Sequence, residues 1–134
     1  MADLIDRLSG ELGADLVQSG TDSGDDYAHD ECLTVEAVTP AVVVRPEDTE
    51  QVAAVLRIAD ELGVPVTARG AGTGLSGAAR PGQDAIVVSF ERMNQVLEID
   101  RDNHTAVVQP GVRLNELDEL TREQGLVYPV YPGE

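Results

Sequence analysis

The stretch Arg69-Gly70-Ala71-Gly72-Thr73-Gly74-Leu75-Ser76-Gly77 holds the residues best suited to chemistry in this sequence. Glycines at 70, 72, 74 and 77 let a backbone take positive φ angles and approach a ligand closely, so several N–H groups can converge on one anion. Arg69 would add a fixed positive charge at the mouth of such a nest. The plainer alternative is a glycine-rich turn that only joins two strands.

The kind of phosphate site is narrowed by elimination. A P-loop needs Gly-Lys-Ser/Thr, and the sequence contains no lysine. Gly72-Thr73-Gly74-Leu75-Ser76-Gly77 does fit the dinucleotide pattern G-x-G-x-x-G, and Glu91 follows after a further apolar run. That pattern, however, needs a helix opening within the loop, whose N-terminus carries the pyrophosphate. Here Ala78-Ala79-Arg80-Pro81-Gly82-Gln83-Asp84 leads straight to the next strand and leaves no room for one. If a diphosphate binds, loop amides alone must hold it.

Other reactive side chains are sparse. His29 and His104, the only imidazoles, fall in polar stretches and read as solvent-exposed. Asp22, Asp25, Asp26 and Asp30 lack the glycine and terminal Glu of a calcium loop and read as a solvated acidic loop. Cys32, the single cysteine, excludes an intrachain disulfide and reads as a buried, inert thiol. No Ser-His-Asp or paired-carboxylate pattern occurs, so no catalytic residue, general base or metal ligand is assigned.

The elements that must position the loop are legible. Leu4, Ile5, Leu8 and Leu12 recur at helical spacing and predict an N-terminal helix ending at Gly13. The span from Ser19 to Asp30 predicts a loop. Ala41-Val42-Val43-Val44, bounded by Pro40 and Pro46, predicts a short buried strand. Asp48-Thr49-Glu50-Gln51 is a capping-box pattern opening a helix with Val52, Val55, Leu56, Ala59 and Leu62, stopped by Gly63. Val64 to Ala68 is the next strand, making a βαβ unit with parallel strands. The glycine-rich loop follows it directly. Ala85 to Phe90 predicts another strand, and Val96–Asp100 and Thr105–Gln109 flank the polar Arg101-Asp102-Asn103-His104 as a hairpin. Leu114, Leu117 and Leu120 predict one face of a last helix ending near Gly125, and the tail from Tyr128 to Glu134 is irregular. The fold class is α/β (α+β): a small mixed sheet with one βαβ unit, a hairpin and helices on one side. Residues 1–35 form an N-terminal helix and acidic loop, and 36–134 the main domain.

Motif order and spacing add a resemblance. Pro40-Ala41-Val42-Val43-Val44-Arg45-Pro46, the Glu50-Gln51-Val52 helix, Val64 through Gly77, Glu91-Arg92-Met93-Asn94 and Gln109-Pro110-Gly111-Val112 together resemble the N-terminal portion of the FAD-linked oxidase family, which carries a PCMH-type FAD-binding domain. Within it the sequence is most similar to the glycolate oxidase subunit and D-lactate dehydrogenase group. Tyr27-Ala28-His29-Asp30 resembles the family's Tyr-x-x-Asp ahead of the first strand. The resemblance implies that Gly70 to Gly77 enclose the FAD pyrophosphate, with Pro110 and Gly111 near the cofactor. Some relatives attach FAD through a loop His; none lies between Gly70 and Gly77, and no Cys either, which predicts non-covalent FAD. The implied activity is a D-2-hydroxyacid dehydrogenase, with hydride passing from a substrate such as glycolate or D-lactate to flavin. Family domains continue beyond Tyr128-Pro129 into a second glycine-rich segment and a substrate-binding cap. The expectation is therefore a truncated N-terminal portion, a fragment of a longer enzyme or one that a second chain completes. The alternative is a non-catalytic nucleotide-binding or subunit-interaction module.

Composition sets limits around both readings. The chain has 134 residues, 25 acidic against 9 basic, and a net charge of −16. Every basic residue is an arginine. Such a surface repels nucleic acid and anionic lipid, so neither is an expected partner. The same composition suits concentrated salt, where the Debye length falls to roughly 3 Å at 1 M and screens self-repulsion, and it predicts a halophilic source. The N-terminus lacks a basic start and long apolar run, and cytoplasmic localisation is the expectation.

Overall fold

The computed structural model describes residues 2–129, in two compact units that meet in sequence between Arg92 and Met93. The irregular tail expected from Tyr128 onward lies beyond the described residues from position 130.

In the first unit, helix α1 (Ala2–Leu12) buries Leu4, Leu8 and Leu12, one per turn. Gly13 ends it at φ 105°, and a single 3₁₀ turn over Ala14–Leu16 leads into strand β1 (Val17–Ser19). Sequence reasoning missed β1, because three residues are too few to display a two-residue period. Strand β2 (Val42–Val44) is wholly buried, as its β-branched run between prolines predicts. Helix α2 (Thr49–Leu62) opens on Asp48, whose Oδ1 accepts from the Gln51 N–H at 2.8 Å. The Gln51 side chain returns one residue further than a strict capping box, accepting from the Glu47 N–H at 2.8 Å. Gly63, left-handed at φ 64°, closes the helix.

Strands β3 (Val66–Arg69) and β4 (Ile86–Ser89) complete a sheet ordered β1-β2-β4-β3. The β2-α2-β3 unit is parallel as expected, but β4 lies between its two strands and pairs parallel with both, Ile86 opposing Val42 on one side and Val66 on the other. β1 adds antiparallel at the β2 edge. Side chains alternate across a strand. Val42, Val44, Ile86 and Val88 join the core with Leu8, Val55 and Ile58 of the helices, while Val43 and Val87 point to the opposite face and are also fully buried.

In the second unit, β5 (Val96–Asp100) and β6 (Thr105–Val108) form the expected antiparallel hairpin, with a register irregularity between Val96 and Glu98. His104 turns the chain at φ 54°, and Asp100 accepts from the Asp102 and Asn103 backbone N–H groups, both at 3.0 Å. Helix α3 (Leu114–Glu123) departs from expectation: its buried residues are Leu117 and Thr121, whereas Leu120 is 39% exposed. The inward stripe is thus i, i+4 from Leu117, and the three-residue step to Leu120 falls outside it.

Candidate anion-binding loop

The glycine-rich segment leaves the sheet at Arg69, the last residue of β3, where the parallel strands β2, β3 and β4 all end in the same direction. In open α/β sheets this carboxyl edge is where ligands bind. No helix forms between Arg69 and β4, so the literal G-x-G-x-x-G is not a dinucleotide helix-opening motif. Gly72 and Gly77 take φ of 75° and 78°. Gly70, Ala71, Thr73, Gly74, Leu75 and Ser76 are exposed. Among the described residues, the backbone N–H groups of residues 71–78 have no protein acceptor. Peptide donors without internal partners seek water or a ligand, and a run of them on left-handed turns is the chemistry of an anion nest.

Arg69 sits beneath this loop and not at its mouth. It is 7% exposed, its Nη1 donates to the His29 carbonyl at 2.6 Å, and its guanidinium occupies the space that a Cβ on Gly72 would need. The guanidinium carbon also lies 5.6 Å from the Tyr27 ring centroid, with that of Arg45 at 5.2 Å from the same ring. By strand alternation Arg45 and Arg69 share the sheet face of Val43 and Val87. Arg45 is ion-paired to Glu91, and the Tyr27 hydroxyl donates to the same carboxylate at 3.1 Å. Partial burial pulls the Arg45 pKa down, but hydrogen bonds and charge interactions with Tyr27 and Glu91 outweigh this and hold it above its ordinary value. Glu91, which follows the literal G-x-G-x-x-G in sequence, is a partner in this cluster.

The segment from Tyr27 to Asp30, read from sequence as part of a solvated acidic loop, is structural in half its residues. Asp25 and Asp26 are exposed, in a 3₁₀ turn over Asp25–Ala28, but Asp30 is 5% exposed. Its Oδ1 accepts from the Cys32 N–H at 3.1 Å and its Oδ2 from the Ala79 N–H at 3.3 Å. The Glu31 N–H donates to the Gly74 carbonyl at 3.0 Å. Composition hid this role, since an aspartate among aspartates looks solvated; the only signal was the Tyr27-x-x-Asp30 spacing. Cys32 is half-buried, not fully buried, with Sγ 3.3 Å from the Thr34 hydroxyl. His29 and His104 are exposed, as expected. Pro110 and Gly111 belong to the second unit, where the Gly111 N–H donates to the Met93 carbonyl at 2.8 Å. Among the described residues no group of His, Cys, Asp and Glu is placed to hold a metal, and no helix is long and apolar enough to cross a membrane.

Residues 40–134 match a family described as an FAD binding domain. The chain belongs to that family, the FAD-linked oxidases with a PCMH-type domain. An FAD-linked oxidoreductase of Mycobacterium tuberculosis is 51% identical over the whole chain, which covers 29% of that protein. A D-lactate dehydrogenase of Anaerostipes hadrus is 38% identical over 98% of the chain and 28% of its own length. The glycolate oxidase subunit GlcD of Bacillus subtilis is 35% identical over 94% of the chain and 28% of its own length. Among solved structures, a 4-ethylphenol oxidase from Gulosibacter chungangensis superposes with a TM-score of 0.82 at 30% identity, over 92% of this chain and 24% of that one. The chain therefore spans less than a third of the length of these relatives. FAD is the cofactor of the family, and the unpartnered amides of residues 71–78, at the carboxyl ends of the parallel strands β2, β3 and β4, have the chemistry to hold the diphosphate of such a group.

Proposed function

We propose that this chain is the N-terminal portion of an FAD-dependent oxidoreductase for D-2-hydroxy acids such as glycolate or D-lactate, and that Gly70 to Gly77 hold the FAD diphosphate. The observation that carries the site is the set of unpartnered amides at residues 71–78, next to a buried Arg69. In a chain of net charge −16, neutral donors over one sunken guanidinium form a local site for an anion. The substrate class rests on the D-lactate dehydrogenase and glycolate oxidase subunit among the relatives.

FAD held there would supply the two-electron redox chemistry that oxidises a hydroxy acid to its keto acid. The residues of this chain would bind and orient: loop amides would take the diphosphate oxygens and Arg69 would offset their charge, while the family resemblance alone points to Pro110 and Gly111 as further cofactor contacts. Residues 36–134 are the FAD-binding portion. Binding is non-covalent, because no His or Cys side chain lies between Gly70 and Gly77, and a cytoplasmic location is the matching one.

Two measurements test this. Gly70 has open space where a Cβ would go, so Gly70→Asp places a carboxylate at the loop without a clash. FAD titration of the full chain and of Gly70→Asp, followed by flavin fluorescence, should show binding in the first and at least a tenfold loss in the second, about the effect of one unfavourable charge contact. Equal affinity would remove the loop from the site. Assay of the complete enzyme to which this portion belongs, with D-lactate, L-lactate, glycolate and non-hydroxylated analogues and a dye acceptor, tests the substrate class; turnover of neither D-lactate nor glycolate would overturn it.

A further inference from the structure

Asp30 is a buried carboxylate in a segment otherwise rich in exposed acids, ahead of residues 40–134 that match the family. It has no arginine within ion-pair distance; its two oxygens are used on two backbone N–H groups from different segments, Cys32 on its own side and Ala79 at the far end of the glycine-rich loop. A third bond, from the Glu31 N–H to the Gly74 carbonyl, fastens the middle of that loop to the same segment. The Arg69 guanidinium holds the His29 carbonyl one residue before Asp30 and lies against Gly72. The loop is thus gripped from behind at 72, 74 and 79, all through residues 29–31, while its own amides from 71 to 78 are left without acceptors.

We propose that Asp30 is a positioning residue for the diphosphate loop: it latches residues 29–32 to the loop and fixes the direction of its amides before an anion arrives. The inference rests on the reading of Gly70 to Gly77 as the FAD diphosphate site. Four glycines in eight positions make the loop the costliest part of the chain to order. A ligand that must order it on binding loses affinity by that cost, and a latch made in the free protein removes the loss. A carboxylate suits the task because both oxygens accept. An asparagine in its place keeps one acceptor and turns an N–H₂ toward a backbone donor.

The test uses the full chain without ligand and then with FAD or ADP, which share the diphosphate. Asp30→Ala should speed amide exchange at Cys32 and Ala79 in the free protein and weaken both FAD and ADP by about tenfold or more, the scale of one lost charged hydrogen bond. Asp30→Asn should fall between wild type and Asp30→Ala in both readouts, and it carries the test if the alanine variant does not fold. Ile58→Val, in the core away from the loop, shows what lowered stability alone does; it should leave the FAD and ADP affinities unchanged. Asp30→Asn binding FAD and ADP as tightly as wild type overturns the latch, as does a loss of affinity no larger than that of an equally destabilised Ile58→Val. If Gly70→Asp weakens FAD binding and Asp30→Asn binds as tightly as wild type, the loop site stands and the latch falls. If Gly70→Asp binds FAD normally, the loop reading falls, and the latch with it.

Discussion

A Cβ built on Gly72 would lie 2.0 Å from Nη2 of Arg69. The buried guanidinium therefore fills the space that any larger residue at 72 would claim, and the glycine's φ of 75° adds a second restriction. An alanine there pays the left-handed backbone cost, about 1–2 kcal/mol, and also pushes Arg69 off the His29 carbonyl. Gly72→Ala should lower the unfolding free energy by at least that much, read as a lower denaturant midpoint with little change in slope. A midpoint equal to wild type would mean that the loop adjusts freely and that Arg69 does not support it.

Two guanidinium groups approach the Tyr27 ring, and one of them also bonds its hydroxyl, so ring and hydroxyl make separable contributions. The hydroxyl bonds the half-exposed Glu91 carboxylate and receives Arg45 Nη2 at 3.2 Å. Tyr27→Phe removes those bonds and keeps the ring, at an expected cost of about 1 kcal/mol. Tyr27→Leu also removes the ring face; it should cost about 1 kcal/mol or more beyond that, as two cation–π contacts imply. Chemical unfolding of both variants separates the two, and equal losses would show that the ring contributes nothing beyond its bulk.

Much of this fold was legible because local rules and tertiary packing agree in it. Val42–Val44 between prolines, the Asp48 cap with the Gly63 stop, and the hairpin around Arg101–His104 each carry their own instructions, and each formed as read. The insertion of β4 between β2 and β3 was not legible, since strand order depends on pairings between distant residues and leaves no local pattern. In the candidate site the glycines could be seen but not what lies under them. Arg69 looked like a surface charge because it follows a strand, and Asp30 looked solvated because its neighbours are. Both are buried by contacts 40 or more residues away in sequence.

Asp100 provides a pH-dependent test in the second unit. The Asn103 side-chain amide donates to its Oδ2 at 2.6 Å, backbone N–H groups donate to Oδ1, and these bonds, with that from Asn103 the largest, hold its pKa below the ordinary aspartate value of 3.8. A depressed folded pKa stabilises the hairpin turn fully above the unfolded value, and the contribution is lost as pH falls through the folded one. NMR titration of the Asp100 carboxyl carbon should place its midpoint below 3.8, with the Asn103 side-chain amide shifting in step. Asn103→Ala should raise that midpoint. A midpoint unmoved by Asn103→Ala would remove the side-chain bond as the main cause.

Salt should act on cofactor affinity in the direction opposite to that of most phosphate-binding proteins. Where Lys and Arg contact a phosphate, salt competes and affinity falls. Here the proposed contacts are neutral amides, the nearby Arg45 is committed to Glu91, Arg69 is sunk beneath the loop, and the chain as a whole carries −16. The long-range field therefore repels FAD, and that repulsion is what salt screens, since the Debye length shrinks from roughly 10 Å at 0.1 M to 3 Å at 1 M. FAD affinity should rise across that range, and riboflavin, which has no phosphate, should respond less. The fold should gain as well, because mutual repulsion of the carboxylates is screened by the same ions. Titrations at matched degrees of folding, checked by circular dichroism at each salt concentration, separate the two effects. A steady fall in FAD affinity with salt would show that an arginine, and not the loop amides, makes the dominant contact with the diphosphate.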